Sequence, residues 1–154
     1  MIPLITLSPA KKLLSNETTF KPSDLSDVLF FEKTQEPIKR CQKLSQTDLE
    51  SLMDISPAIA TLNQARFANF PETLPQMPLS PSISLFAGDV YKHLDFASLS
   101  TGDQKYAQKH LRLLSGLYGL LRPFDRMHPY RLEMGLNLKK IWGFDLNSYC
   151  NTLF

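Results

Sequence analysis

The first apolar run, Ile2 to Leu7, is short and rich in β-formers and predicts a buried strand. Ser8-Pro9 stops it with a cap residue and a proline suited to a first helical turn. Residues 15–27 are rich in Ser, Thr, Asn and Asp and predict a surface loop. Glu36 to Leu44 predicts a helix after Pro37. Ser45 with Asp48 has the form of a capping box opening a helix through Met53. Ser56-Pro57 predicts another helix start, with Ile59, Leu62 and Ala65 on its apolar face. Pro71, Pro75, Pro78 and Pro81 mark an irregular connection crossing the domain, since each fixes φ and removes a donor. Ile83 to Ala87 predicts a second buried strand, broken by Gly88-Asp89.

The strongest local pattern begins at Thr101, which with Gln104 forms a capping box. Ala107, Leu111, Leu114 and Leu117 or Tyr118 recur at helical spacing, with Lys105, Lys109 and Arg112 on the polar face. Gly116 is placed as a C-cap, and Gly119, a short apolar pair and Pro123 follow. Over 103–125 this predicts a helix–hairpin–helix element, although Pro123 argues against a long second helix. Arg131 and Glu133 flank Leu132, so a strand there would set both on one face.

With 154 residues, 43% hydrophobic and 21% charged, the chain fits one domain and excludes collagen, a disulfide mini-protein and a wholly disordered tail. No apolar run approaches a membrane span, no basic residue precedes the first apolar run as in a secretory signal, and Cys41 and Cys150 are far apart. The expectation is a reduced, cytoplasmic protein. Cys41 lies near Lys39, Arg40 and Lys43, and only a favoured thiolate would make it a peroxide sensor rather than an ordinary thiol. His93, His110 and His128 have no metal-ligand spacing, so neither metal nor cofactor is expected.

The net charge of +2 hides a division. Gln104 to Arg131 holds Lys105, Lys109, Arg112, Arg122, Arg126 and Arg131 against Asp125 alone, a charge of +5 on a remainder of −3. Such a segment is either a solvated face or a surface for nucleic-acid phosphates. In a helix–hairpin–helix the glycines admit close phosphate approach, and flanking cations add sequence-independent, salt-sensitive binding.

The motifs SPAKKL (8–13), ARFANF (65–70), FAGDVYKHL (86–94), HLRLLSGLYGLLRPFDRMHPYRLEMG (110–135) and Gly143-x-Asp145-Leu146 together resemble the YaaA peroxide-stress protein family. That resemblance implies a cytosolic bacterial protein of the response to hydrogen peroxide that limits free intracellular iron. It also implies an α+β (mixed α/β) fold of the YaaA type, with a helix–hairpin–helix and a basic cleft that binds double-stranded DNA. Matched to the family motifs, Lys11 falls near the cleft; Arg112, Gly116, Tyr118, Gly119 and Arg122 fall in the hairpin; and Tyr130, Arg131 and Glu133 fall in the PYRLEMG element. Lys12 departs from the small or hydroxyl residue usual there, and Cys150-Asn151 stands in place of a Trp-Gly pair.

Two functions are therefore expected, and both are open. In the first, a non-enzymatic protein binds duplex DNA through Lys11, Lys105, Lys109, Arg112, Gly116, Tyr118, Gly119, Arg122 and Arg131, with Tyr91, Tyr118 and Tyr130 available to stack on bases. In the second, Lys11, Asp89, Tyr130, Arg131 and Glu133 form a charged cleft where an enzyme acts on a small nucleotide or nucleobase. Leu146, Tyr149 and Leu153 form an apolar helical stripe at the end of the chain. The expectation is that residues 1–154 are the N-terminal portion of such a domain, lacking its C-terminal part. Apolar surface left bare would then favour self-association, and an inactive remnant is a third reading.

Overall fold

Three helices follow one another between Phe31 and Ala68 and carry much of the buried apolar surface. The structure, a computed structural model, describes residues 3–14, 20–133 and 136. The stripe Leu146, Tyr149 and Leu153, and Cys150, lie outside these residues. Helix α1 (Phe31–Cys41) starts earlier than its proline suggests and holds Pro37 in its interior. Phe31, Thr34, Ile38 and Cys41 make one inward stripe, and burying it outweighs the roughly 3 kcal/mol an interior proline costs. Helix α2 (Gln46–Met53) opens on the expected box: Asp48 N donates to Ser45 Oγ at 3.1 Å, and Ser45 N donates to Asp48 Oδ2 at 2.9 Å. The Ser45 hydroxyl, donating to Asp48 Oδ2 at 2.7 Å, and then the Ser45 N–H hold the Asp48 carboxyl below its ordinary pKa.

Helix α3 (Pro57–Ala68) packs on α2 but turns a different face inward from the one its apolar spacing predicts. Ile59, Leu62 and Ala65 are exposed, while Ala60, Asn63 and Phe67 are buried. The reason is Phe67: it is the largest side chain of the helix, and turning it inward carries Asn63 with it. Asn63 Nδ2 donates to Ile59 O at 2.8 Å, but its Oδ1 has no partner among the described residues.

The proline-rich stretch that follows is tied down rather than loose, with Arg126 donating to Leu74 O at 3.1 Å and Met127 N to Ser80 O at 2.9 Å. Ile83 to Ala87 is not a strand. Ser82–Leu85 is a one-turn helix (α4), because Ser82 N donates to Asp125 O and Ser82 Oγ to Arg122 O, both at 2.8 Å. Helix α5 (Asp89–Leu94) ends at Asp95, whose φ of 39° lies in the left-handed region.

Helix α6 (Thr101–His110) is capped one residue earlier than the sequence suggests: Ser100 Oγ, not Thr101, accepts from Asp103 N. It also ends at His110, and here the helix–hairpin–helix expected over 103–125 is corrected. Leu111–Ser115 is strand β2 and Gly119–Leu121 is strand β3, an antiparallel hairpin with no second helix. Leu111, Leu113 and Ser115 are buried while Arg112 and Leu114 are half-buried, so period two prevails over the helical spacing. The decisive partner is remote: β1 (Ile5–Leu7) pairs parallel with β2, Ile5 opposite Leu111 and Leu7 opposite Leu113. Gly116 therefore sits in the hairpin turn rather than at a helix end, and Gly119 at φ 73° makes that turn possible. Ser115 Oγ accepts from Leu117 N and Tyr118 N and closes it.

The sheet order is β1-β2-β3. Among the described residues strand β1 is at its edge, and Leu4 and Ile5 are exposed rather than buried as the opening apolar run predicts. The core runs from the α1–α3 helices through Leu113, Leu117, Tyr118 and Leu121 to Met127 and Leu132. The mixed α+β class that the family resemblance implies is the class observed.

Candidate functional site

Two sets of charged residues come together, one sealed and one open. The open one forms where the segment after β1 meets the segment after Met127. Leu13 bridges Phe86, Leu14 N donates to Leu85 O, and Ala87 N donates to Lys12 O, which fixes the path of residues 9–14. A Cβ on Gly88 would lie 3.0 Å from Ala10 Cβ, so a glycine is needed for this segment to pass α5 closely. Lys11 thereby reaches Glu133, Nζ to Oε2 3.3 Å, and Arg131 Nη2 donates to the other oxygen of the same carboxylate at 3.1 Å. No strand aligns Arg131 with Glu133; irregular backbone brings the pair together. Arg131 Nε is buried and has no partner among the described residues.

This cluster rims a cavity of about 140 Å³ whose other walls include Pro9, Phe86 and Tyr130. Ser115 Oγ and Tyr130 OH are 2.5 Å apart and anchor the far side. Asp89, expected in this network, is outside it: it is exposed at the start of α5, 3.8 Å from Lys92. Chemically the cluster offers one carboxylate between two cations, a net positive rim suited to an anion or to holding a proton-transfer group in position.

The sealed set takes up Arg122 and Arg126 of the basic segment. Asp125 is fully buried and accepts from Ser26 Oγ at 2.6 Å, Arg122 N at 2.8 Å and Arg122 Nε at 3.0 Å. Arg126 pairs with Asp27, and Arg131 with Glu133. Three of the six cations are thus neutralised internally. Arg112 is half-buried, with Nη1 donating to Leu111 O and Gln108 O. Lys105 and Lys109 remain exposed on α6 and make no ion pair among the described residues. They border a cavity of about 400 Å³ with Ser23, Asp24, Thr101 and Phe124.

The hairpin residues expected to approach phosphate are enclosed. Gly116 and Gly119 are buried. Tyr118 is wholly buried; its OH donates to His128 O and accepts from His128 N, both at 3.1 Å, and burial pushes its pKa well up. Tyr91 is buried with its OH on Ser8 O at 2.6 Å, and Tyr130 is buried on Ser115, so none of the three presents a free ring face for stacking.

Sequence reasoning missed three organisers: Asp27, Asp125 and Gln108, whose side chain donates to Ser26 Oγ at 3.1 Å and accepts from Phe124 N at 2.8 Å. The Arg122-x-x-Asp125 spacing was a visible signal, but Asp27, almost a hundred positions away, had none. His93, His110 and His128 each contact a backbone carbonyl, and no group of three His, Cys, Asp or Glu side chains fit to hold a metal occurs among the described residues. Burial pushes the Cys41 thiol up to about 12, which leaves it protonated near neutral pH. No helix among the described residues is long and apolar enough to cross a membrane.

Comparison with known proteins supplies the lineage. The chain is 44% identical over 150 residues to a UPF0246 protein of Aliivibrio fischeri (strain MJ11), covering 97% of this chain and 58% of that relative. It is 45% identical over 146 residues to a UPF0246 protein of Cupriavidus pinatubonensis, covering 95% of this chain and 56% of the relative. A Burkholderia vietnamiensis UPF0246 protein is 43% identical over the same length. The chain thus spans little more than half the length of the curated relatives it matches. The family described as "Peroxide stress protein YaaA" matches residues 3–152, and the chain belongs to that family.

Proposed function

We propose that the chain acts in the response to hydrogen peroxide by binding duplex DNA without sequence preference, helping to limit free iron and oxidative damage to DNA. The observation that carries this reading is the pair Lys105 and Lys109. They are exposed one turn apart on α6 and unpaired among the described residues, while Arg122, Arg126 and Arg131 are neutralised. Lys11, 74% exposed at its side chain, adds a further accessible cation, and Arg112 a half-buried one. The contact is therefore a lysine-bearing helix face and not a glycine hairpin. Fluorescence anisotropy with duplex DNA across a salt series tests it. Binding should weaken steeply with salt, and Lys105→Ala with Lys109→Ala should flatten the log–log slope by about 2. Binding indifferent to both salt and the double substitution would overturn the reading.

One observation favours a second reading, an enzyme acting on a small nucleotide or nucleobase. Lys11, Tyr130, Arg131 and Glu133 border one cavity from opposite ends of the described chain. Thermal-shift measurements against nucleotides and nucleobases discriminate: stabilisation that disappears in Glu133→Gln supports this reading, and a flat panel removes it.

A further inference from the structure

The edge of the sheet carries an exposed apolar surface that neither function uses. Among the described residues, strand β1 is bonded on one side only, in parallel with β2. A strand in a parallel pair is ordinarily interior and covered on both faces, which is what a run such as Ile2 to Leu7 encodes. Here Leu4 is 60% and Ile5 56% exposed. The patch does not end with the strand. His110 Nδ1 donates to Pro3 O at 2.9 Å, and the Tyr106 ring, 57% exposed, stacks on His110 with centroids 4.0 Å apart. Aromatic surface thus lies beside an open strand edge, with backbone donors and acceptors facing outward.

Native proteins guard such edges with charge, proline or a bulge. Between Leu4 and Leu7 there is no charged residue, no proline and no interruption of the ladder. The edge is therefore built to be paired. The curated relatives match this chain over only 56–58% of their own length, so in them a large stretch of polypeptide lies outside the matched part.

We propose that β1 is a docking edge for an extended apolar segment belonging to that further part of the family's chain. The segment continues the sheet beyond β1 and covers Leu4, Ile5 and Tyr106. Main-chain bonds to β1 supply affinity, and alternate side chains over Leu4 and Ile5 supply register.

The test is to co-express this chain with the part of the Aliivibrio fischeri relative that lies outside the match, and also to join the two through a flexible linker. The expected result is a one-to-one complex in which amide exchange of Leu4 to Leu7 slows at least about tenfold, in the pair or in the fusion. Ile5→Lys should weaken the complex by about tenfold or more and leave the melting of this chain alone unchanged, because Ile5 is mostly exposed. Unchanged exchange at the edge in both pair and fusion overturns the proposal, as does association insensitive to Ile5→Lys. A homodimer of this chain that Ile5→Lys dissolves also overturns it, since the edge then belongs to a second copy.

Discussion

Asp125 and Glu133 are both carboxylates held by arginine, yet they organise the molecule in opposite ways. Asp125 has no exposed surface, and hydroxyl, backbone and guanidinium donors fill its oxygens. Glu133 has a side chain 28% exposed and bridges a half-buried arginine to a lysine standing in solvent. Burial, not the chemistry of the pair, decides which is a structural pin and which is a site. A buried carboxylate whose two oxygens both already accept from the protein has no accessible face for a ligand, whereas one on a cavity rim can exchange partners.

Substitutions rank that contrast. Asp125→Ala should be the most damaging, costing about 3–5 kcal/mol, because it strands Arg122 and Ser26 and leaves a buried void. A denaturant titration measures it, and a loss under about 1 kcal/mol would erase the distinction drawn between the two carboxylates. Next comes Tyr118→Phe, which removes a hydroxyl that both gives and takes a bond at His128. About 1–3 kcal/mol should be lost, as the two backbone groups of His128 stay buried without it.

A smaller, pH-dependent effect follows from His128 itself. Burial holds its pKa below 6.5, and the nearby Arg66 guanidinium lowers it further, against the pull of the bond to Arg66 O. The folded state then binds fewer protons than the unfolded state as pH falls through 6.5. This contribution is full above that value and is lost progressively on acidification towards the folded-state pKa. Melting curves from pH 7.5 to 5 on the protein and on His128→Gln should diverge, with the substituted chain less sensitive to acid. Glu133→Gln should be least felt, within about 1 kcal/mol, since Lys11 is solvent-screened. If it unfolds the protein as readily as Asp125→Ala, the rim is structural and no site.

What could be read in the sequence divides along the same line between local and remote causes. The Ser45–Asp48 box is visible because its bonds close within four residues. The α6 cap is legible to within one position, Ser100 for Thr101. Leu111 to Ser115 fits helix and strand spacing equally well, and only β1, at the far end of the described chain, breaks the tie. The basic segment was legible as composition but not as a surface, since Asp27, Asp125 and Glu133 cancel its arginines in three dimensions. The meeting of Arg131 with Glu133 was suggested by their spacing, though irregular backbone and not a strand provides it, and the approach of Lys11 was legible only through the family motifs. Asp89, drawn from the same reasoning, lies elsewhere.

The pairing of Ile5 with Leu111 also sets a clock. At a synthesis rate of roughly 5–20 residues per second, β1 leaves the ribosome about 5–20 s before its partner exists. Helices α1 to α3 need only neighbours and can assemble in that interval, whereas the first strand must wait, apolar and unpaired. Closing this long loop late puts the sheet, and with it the segment that carries Lys11, among the last parts to form. The site is thus assembled at the end of folding, after a period in which its opening residues have no core of their own to pack on.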